Sequence, residues 1–394
     1  MRYPACLLLT ASTLAAQSLS GVWDATVTVN HRDVPFRMEL AGSGPDVQGS
    51  FFNGDEKLTS TRGNFVNHRL VLYFDYYAGK LEAIWHDGRL TGFYSRPSGT
   101  YPFEAKPFTP SRNAGAEDIP RVDGLWEVEV QSSKGESAWR LIVRQSGAEV
   151  TAAILRVDGD TGTLTGSWRE GKFVLSHFSG ARPLLLEVTP RKDGSLGILQ
   201  NGEAMVARRP ADARAKGLPE PTDPSRHTRV KDPTEPFHFA FPDLSGRLVS
   251  DTDARFHNKV MIVAIGGSWC PNCHDEAPFL VELDRKYRAR GLEIVTLSFE
   301  EADQLKDPAR LRAFVKRYGI EFTVLLAGET SELNEKIPQA VNLNSWPTTF
   351  FLGRDGKVRS VHAGFAGRAS GEYHNQLKAE VTALIERLLS EPAK

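Results

Sequence analysis

The chain has 394 residues, 48 Lys and Arg against 49 Asp and Glu, and a formal net charge of −1. Its length exceeds what one hydrophobic core usually organises, so two or three domains are expected. The balanced charge, with no basic stripe or acidic tail, argues against nucleic acid or an anionic membrane surface as a partner.

The N-terminus has the layout of a secretory signal peptide. Arg2 is followed by the apolar run ACLLLTASTLAA and then by small residues. We expect residues 1–17 to be the signal, with cleavage between Ala15 and Ser18. No later segment is long and apolar enough to cross a bilayer. The sequence therefore predicts an exported protein, periplasmic or otherwise extracytoplasmic, or an anchored one if the segment is not cleaved.

Residues 18–108 and 119–209 look like two copies of one unit. SGVWDATV matches DGLWEVEV with Trp23 and Trp126 in register, and FRMEL parallels WRLIV. Each copy consists of short alternating runs separated by Gly, Asn and Asp turns, with about eight candidate strands. This pattern predicts two all-β meanders, each closed as a small barrel or sandwich, with the tryptophans buried at the barrel ends.

Residues 210–235 carry several prolines and many charges with no apolar period, which predicts an extended linker. His227 in this segment and His238 just after it have no partners at metal spacing. Both are therefore expected to be solvated.

From residue 236 to residue 392 the pattern changes to alternating strands and helices, which predicts an α/β domain with helices on both faces of a mixed sheet. KVMIVAIGG is typical of a buried strand and is followed by a helix through DEAPFLVELDRKYRAR. A further helix is expected in DPARLRAFVKRYG, with Asp307 as its cap and Pro308 at its first position.

Once the signal is removed, Cys270 and Cys273 are the only cysteines, so no framework of structural disulfides can form. The pair falls where a buried strand ends and a helix begins. The helix dipole there predicts a stabilised, partly exposed thiolate at Cys270 and a buried resolving thiol at Cys273. Pro271 is expected at the first helical position, and Trp269 should flank the exposed sulfur as a hydrophobic platform.

These residues resemble the TlpA/ResA-like thiol-disulfide oxidoreductases of the thioredoxin superfamily. FPDLSGRLVS is similar to the N-terminal hairpin of that family, GSWCPNCHDEAP to its Trp-Cys-x-x-Cys-x-x-Glu-x-Pro signature, and SWPTTFFLGRDGKV to its cis-proline strand. Residues 301–343 correspond to the helical insertion of the family. The resemblance covers residues 236–392 and implies a thioredoxin-like fold there, but it does not extend to the β repeats.

The resemblance also implies roles for single residues. Cys270 would exchange with a substrate disulfide or thiolate, and Cys273 would close or open the intramolecular bond. Pro347 would be cis and lie against the cysteines, and the backbone of Trp346 would pair with a bound peptide. Glu276 would pass a proton to or from the buried thiol; otherwise it is an ordinary first-turn acid near the helix dipole.

Three positions depart from the family pattern. Ala264 stands where thioredoxin has a buried Asp, which gives Glu276 more weight as the proton carrier. The bulky Trp346 should narrow the substrate groove. His274 either lowers the pKa of a thiol through its charge or points to solvent.

The motif CPNCH also fits c-type haem attachment, and a Cys pair fits half of a zinc site. A haem site needs an enveloping pocket, and zinc needs two further ligands that the sequence does not supply. A peroxiredoxin is disfavoured because Gly267 and Val263 stand where it has Thr or Ser and Pro. No metal or cofactor is expected.

The leading hypothesis is an exported disulfide reductase that acts on protein or small-molecule disulfides and draws electrons from a membrane thiol reductase. The alternative is a binding protein whose β repeats hold a ligand or partner, with the thioredoxin-like domain as a scaffold or redox clamp.

Overall fold

The computed structural model describes residues 19–110 and 119–392, so the expected signal peptide at residues 1–17 lies outside the described residues. The first repeat is a nine-stranded antiparallel meander, and a backbone hydrogen bond from the N–H of Phe65, in the last strand of the sheet order, to the carbonyl of Gly44 joins the two ends of the sheet. Its strands are β1 (Gly21–Val29), β2 (Arg32–Ser43), β3 (Asp46–Asn53), β4 (Glu56–Thr59), β5 (Arg62–Val66), β6 (Arg69–Phe74), β7 (Gly79–His86), β8 (Arg89–Arg96) and β9 (Gly99–Pro107).

The second repeat is also an antiparallel meander, and the pairing of its second and third strands closes it into a ring. Its strands are β10 (Gly124–Glu129), β11 (Ala138–Ser146), β12 (Glu149–Arg156), β13 (Gly159–Asp160), β14 (Leu164–Arg169), β15 (Lys172–His177), β16 (Leu184–Pro190), β17 (Leu196–Gln200) and β18 (Glu203–Arg208). The expected all-β meander barrels are thus confirmed.

The two repeats share a tryptophan arrangement in detail. Trp23 donates its indole N–H to the carbonyl of Leu19 at 3.0 Å, and Trp126 donates to Val122 at 2.8 Å. In both repeats the acceptor lies four residues before the tryptophan. Both tryptophans are buried in the cores of their repeats, so they serve packing, as expected.

The repeats are joined by a residue of the second that enters the core of the first. Phe178, which follows β15, is fully buried, with its ring centroid 4.7 Å from that of Phe36 and 5.2 Å from that of Tyr94. The Asn53 side chain accepts from the backbone N–H of Phe178 at 2.9 Å and donates to its carbonyl at 3.0 Å. The two repeats therefore form one packed unit, and the interior of the first is filled by side chains.

We expect Phe178→Ala to lower the free energy of unfolding by about 3–5 kcal/mol, because it removes a buried ring and leaves a cavity. Urea unfolding monitored by tryptophan fluorescence measures this loss. Phe93, which is 55% exposed on β8, provides the matched control: Phe93→Ala should change stability by less than about 1 kcal/mol. Equal losses in the two variants would show that Phe178 does not join the repeats.

The segment expected to be an extended linker is instead ordered against both of its neighbours. It contains α1 (Pro210–Ala215), α2 (Pro224–His227) and β19 (Arg229–Val230), and β19 pairs with β25 (Ala340–Val341) of the C-terminal domain. The expected solvation of His227 is wrong, since its Nε2 lies 2.7 Å from Asn344 Oδ1. His238 remains exposed but pairs with Asp251 at 2.9 Å.

The C-terminal domain has a five-stranded mixed sheet whose strands, in spatial order, are β24 (Thr323–Glu329), β23 (Leu292–Glu300), β22 (Val260–Gly266), β26 (Thr348–Leu352) and β27 (Val358–Ala363). Strands β22, β23 and β24 run parallel, and β26 and β27 are antiparallel to their neighbours. The remaining elements are β20 (Ala240–Pro242), β21 (Leu248–Ser250), α3 (Pro271–Tyr287), α4 (Ala302–Lys306), α5 (Ala309–Tyr318), α6 (Leu333–Lys336) and α7 (Glu372–Ser390).

Both faces of this sheet are covered, which explains why β22 is continuously apolar. Alternate residues of β22 join two separate cores: Val260 and Ile262 pack with α3, α5 and α7, whereas Met261 and Val263 pack with the N-terminal hairpin and α6. One expected cap is wrong: α5 begins at residue 309, with Pro308 as its N-cap residue and Asp307 before it. Within the described residues, no helix has the length and apolar character needed to cross a membrane.

Candidate active site

The two cysteines lie where the central strand β22 ends and α3 begins. Cys270 is the N-cap residue of α3, and its sulfur accepts a hydrogen bond from the backbone N–H of Cys273 at 3.3 Å. Pro271 takes the first helical position, where its missing N–H leaves no bond unmade. Gly266 makes room for the second thiol, since a β-carbon there would lie 3.1 Å from the Cys273 sulfur. A hydrogen-bonded sulfur thus sits at the positive end of a helix dipole.

Both cysteines are free thiols and both are shielded from solvent, Cys270 at 3% exposure and Cys273 at 6%. Burial and the adjacent Cys270 sulfur raise the pKa of Cys273 well above its ordinary value. The partial exposure expected for Cys270 is wrong. Asn272, between the two cysteines, is only 1% exposed because it bonds to Asp158 and Arg182 of the second β repeat.

Glu276 lies one helical turn beyond Cys273, on the same face of α3. It is 6% exposed, and burial raises its pKa to about 7, although the Thr349 hydroxyl donates to its Oε1 at 2.7 Å. Glu276 and Cys273 line one small cavity together with Ala264, the residue that replaces the buried aspartate of thioredoxin. The arrangement places a carboxyl that titrates near neutrality beside the buried thiol.

The peptide bond between Trp346 and Pro347 is cis, as expected, and Pro347 is buried. The rings of Trp346 and Trp269 meet edge to face with centroids 5.4 Å apart, and both are half-buried. The indole N–H of Trp269 donates to the carbonyl of Phe299 at 2.9 Å, which fixes its orientation. The two tryptophans form a joined aromatic surface next to the cysteines.

His274 fits neither of the two expectations made for it. It is 5% exposed, and burial lowers its pKa to about 3, so the ring is neutral. Its Nε2 lies 2.9 Å from the Ser268 carbonyl, which can only accept, so Nε2 carries the proton. Its Nδ1 lies 2.9 Å from the hydroxyl of Tyr318, and the ring packs 4.2 Å from that of Tyr77 in the first repeat. With both nitrogens engaged, His274 is not available as a haem ligand.

A buried ion pair behind the active-site loop was not expected from the sequence. The Arg310 guanidinium lies 2.8 Å from Glu300, and both side chains are at most 1% exposed. Glu300 accepts from the backbone N–H and the hydroxyl of Ser268, each at 2.7 Å. This network holds the loop that leads into Cys270. Within the described residues, no three His, Cys, Asp or Glu side chains are placed to hold a metal ion.

Known proteins are similar to the part of the chain that carries the two cysteines. Residues 233–361 match the AhpC/TSA family model. The thiol-disulfide oxidoreductase ResA of Bacillus cereus is 31% identical over 136 residues, which are 34% of this chain and 70% of that protein. ResA of Bacillus subtilis is 26% identical over 127 residues, 32% of this chain and 64% of that protein.

Fold and site together define a thioredoxin-like dithiol domain. On the match to the Bacillus cereus protein, the chain belongs to the family of thiol-disulfide oxidoreductases that includes ResA. The chain spans 63% of the length of the Bacillus thuringiensis and Bacillus anthracis ResA proteins that it matches.

Solved structures with similarity include a putative thiol:disulfide interchange protein DsbE from Chlorobium tepidum, which is 23% identical. The similarity covers 38% of this chain and 93% of that one, with a TM-score of 0.30. A thioredoxin family protein from the same organism is 25% identical over 41% of this chain and 100% of that one, with a TM-score of 0.31.

Proposed function

We propose that the protein is an exported thiol-disulfide oxidoreductase that acts as a disulfide reductase. The observation that carries the proposal is the placement of Cys270 as the N-cap of α3, with its sulfur hydrogen-bonded by the N–H of Cys273. Donors aimed at a sulfur stabilise a thiolate, which is the nucleophile in disulfide exchange.

Reduction proceeds in two exchange steps. The Cys270 thiolate attacks a substrate disulfide, forms a mixed disulfide and releases one substrate thiolate, which takes a proton from solvent. Cys273 then loses its proton and attacks the Cys270 sulfur, which forms the Cys270–Cys273 disulfide and releases the second substrate thiol. Two electrons pass from the protein to the substrate.

The second step requires a base, because burial keeps Cys273 protonated. Glu276 is the base in this proposal, since it lines the same cavity and has a pKa of about 7. Trp269, Pro271, Trp346 and Pro347 would bind the substrate around the Cys270 sulfur. The electrons lost would be restored by a membrane thiol reductase, in keeping with the signal peptide expected at residues 1–17.

In the alternative of a binding protein, a β repeat that holds a ligand in its interior requires a space there. The interior of the first repeat is instead occupied by packed aromatic rings, among them Phe51, Phe74 and the inserted Phe178. The packing therefore argues against a ligand held inside the first repeat.

Insulin reduction with dithiothreitol as the electron donor tests the proposal. We expect turnover by the wild-type protein well above the background rate of dithiothreitol alone. A wild-type protein that binds a disulfide partner without any turnover would contradict the proposal and support the redox-clamp alternative.

A further inference from the structure

One turn of the second β repeat lies against the active-site end of the thioredoxin-like domain. We call residues 157–162 the capping turn. Gly159 in this turn forms a β-bridge with Phe365, and Gly364 next to it donates its N–H to the carbonyl of Pro347 at 2.6 Å. The capping turn therefore packs against the loop that adjoins the cis-proline.

The same turn also reaches the residue between the two cysteines. The side-chain amide of Asn272 donates to the carbonyl of Asp158. Arg182, from the same repeat, bonds to Asn272 Oδ1 at 3.0 Å and to the carbonyl of Asp160 at 2.8 Å. One guanidinium thus ties the capping turn to the start of α3, and charged donors make strong hydrogen bonds.

The opposite side of the turn is fixed as well. The Asp160 carboxylate accepts from the backbone N–H of Ser370 at 3.1 Å, and both residues are 1% exposed. Lys134 pairs with Asp158 at 2.6 Å within the repeat. These contacts give the turn a defined position over the domain, so it does not act as a loose loop.

The consequence concerns which disulfides can reach the Cys270 sulfur. A folded protein must bring an extended surface against the residues around the Cys270 sulfur. On the Asn272 side, the second β repeat already covers those residues. The other side, formed by Trp269, Pro271 and Trp346, stays half-exposed. A small molecule or a flexible peptide can enter there without displacing the repeat.

We propose that the capping turn and Arg182 determine substrate preference by size: they favour the access of small-molecule disulfides and of disulfides in flexible segments to Cys270 over the access of disulfides held on folded proteins such as insulin. The inference rests on the proposed function and adds the substrate class to it. Both features are specificity determinants, because they act by closing one approach and do not touch the reacting sulfur.

Alkylation of reduced full-length protein tests the cap without any turnover. Mass spectrometry measures the rates at which N-ethylmaleimide and a large polyethylene glycol maleimide modify Cys270. The rate with the small reagent is divided by the rate with the large one, and this ratio is then divided by the same ratio measured for reduced glutathione. We expect the wild-type ratio to favour the small reagent strongly. Arg182→Ala should lower the ratio roughly tenfold, because the lost hydrogen bonds raise the undocked population.

A glycine pair provides a matched control. Gly159 has φ +119°, and a β-carbon there would meet the carbonyl oxygen of Phe365 at 2.3 Å. Gly171 has φ +83° with no neighbour within 4 Å. Both alanine variants carry backbone strain, but only Gly159→Ala should lower the ratio. A wild-type ratio equal to that of glutathione, unchanged ratios in Arg182→Ala and Gly159→Ala, or an equal effect of Gly171→Ala would each overturn the proposal.

A redox measurement separates this inference from the proposed function. With dithiothreitol as donor, Arg182→Ala should raise kcat/KM for insulin several-fold relative to kcat/KM for a small aryl disulfide. If wild type and variant reduce neither substrate, the proposed function fails, while the alkylation ratios still decide whether the cap exists.

Discussion

Cys270→Ser is expected to lower insulin reduction by more than about a thousandfold, to the rate of dithiothreitol alone. A serine hydroxyl is not ionised at neutral pH and does not attack a disulfide, so the first exchange step is lost. Because Ser is close in size to Cys and can keep the bond from the Cys273 N–H, the fold should be preserved. Circular dichroism and urea unfolding check that it is.

Cys273→Ala provides the complementary result. The first exchange still takes place, but nothing resolves it, so the protein should accumulate as a mixed disulfide with its substrate. Non-reducing electrophoresis and mass spectrometry then identify the trapped partner. Equal activity of wild type and Cys270→Ser, or trapping through Cys273 in the Cys270→Ser protein, would refute the assignment of Cys270 as the nucleophile.

Glu276→Gln is expected to slow turnover about a hundredfold at neutral pH, because the buried Cys273 thiol loses its proton acceptor. Wild-type kcat should rise as pH increases through about 7, where Glu276 becomes ionised and able to accept a proton. The Gln variant should lack this inflection. A pH profile of kcat for insulin, measured between pH 5 and 9, is the test.

Thr349→Val is a second test of the assignment of the pH dependence to Glu276. The Thr349 hydroxyl bonds to the Glu276 carboxylate and lowers its pKa, opposing the larger effect of burial. Removing that hydroxyl should move the inflection of the pH profile upward while leaving it present. An unchanged profile in both Glu276→Gln and Thr349→Val would assign the titration to another group.

The same carboxyl makes stability depend on pH. Its folded pKa of about 7 lies above the ordinary value of 4.5, so the folded state binds the proton more tightly than the unfolded state. The resulting stabilisation is present below pH 4.5 and is lost as pH rises through 7. The free energy of unfolding in urea of Glu276→Gln, relative to that of wild type, should therefore increase between pH 5 and pH 8.

Local patterns were sufficient for much of the fold. Alternating runs predicted the β meanders, and the apolar run at residues 259–267 predicted the central strand of a covered sheet. Residues adjacent in sequence also predicted the helix start at Pro271, since the strand end, the cysteine spacing and the proline all lie within one short segment. The cis bond before Pro347 followed from a family resemblance carried by the motif itself.

Three of the expectations that were wrong share one cause. The expected exposure of Cys270, the two readings of His274 and the solvation of His227 each assumed that the surrounding surface belonged to its own domain. Tyr77 and Arg182 lie far from the cysteines in the sequence and carry no local signal for contact with them. Only the assembled structure brings them together.

The amino-acid sequence by itself determined the class of each domain and the place of the cysteine pair between a buried strand and a helix, because periodicity and motif spacing are properties of neighbouring residues. The tertiary structure decided what surrounds that dithiol: the neutral His274 between two domains, the Arg310–Glu300 pair behind the loop, and the capping turn over Asn272. Burial and long-range pairing depend on how distant segments pack, and packing is a property of the whole chain.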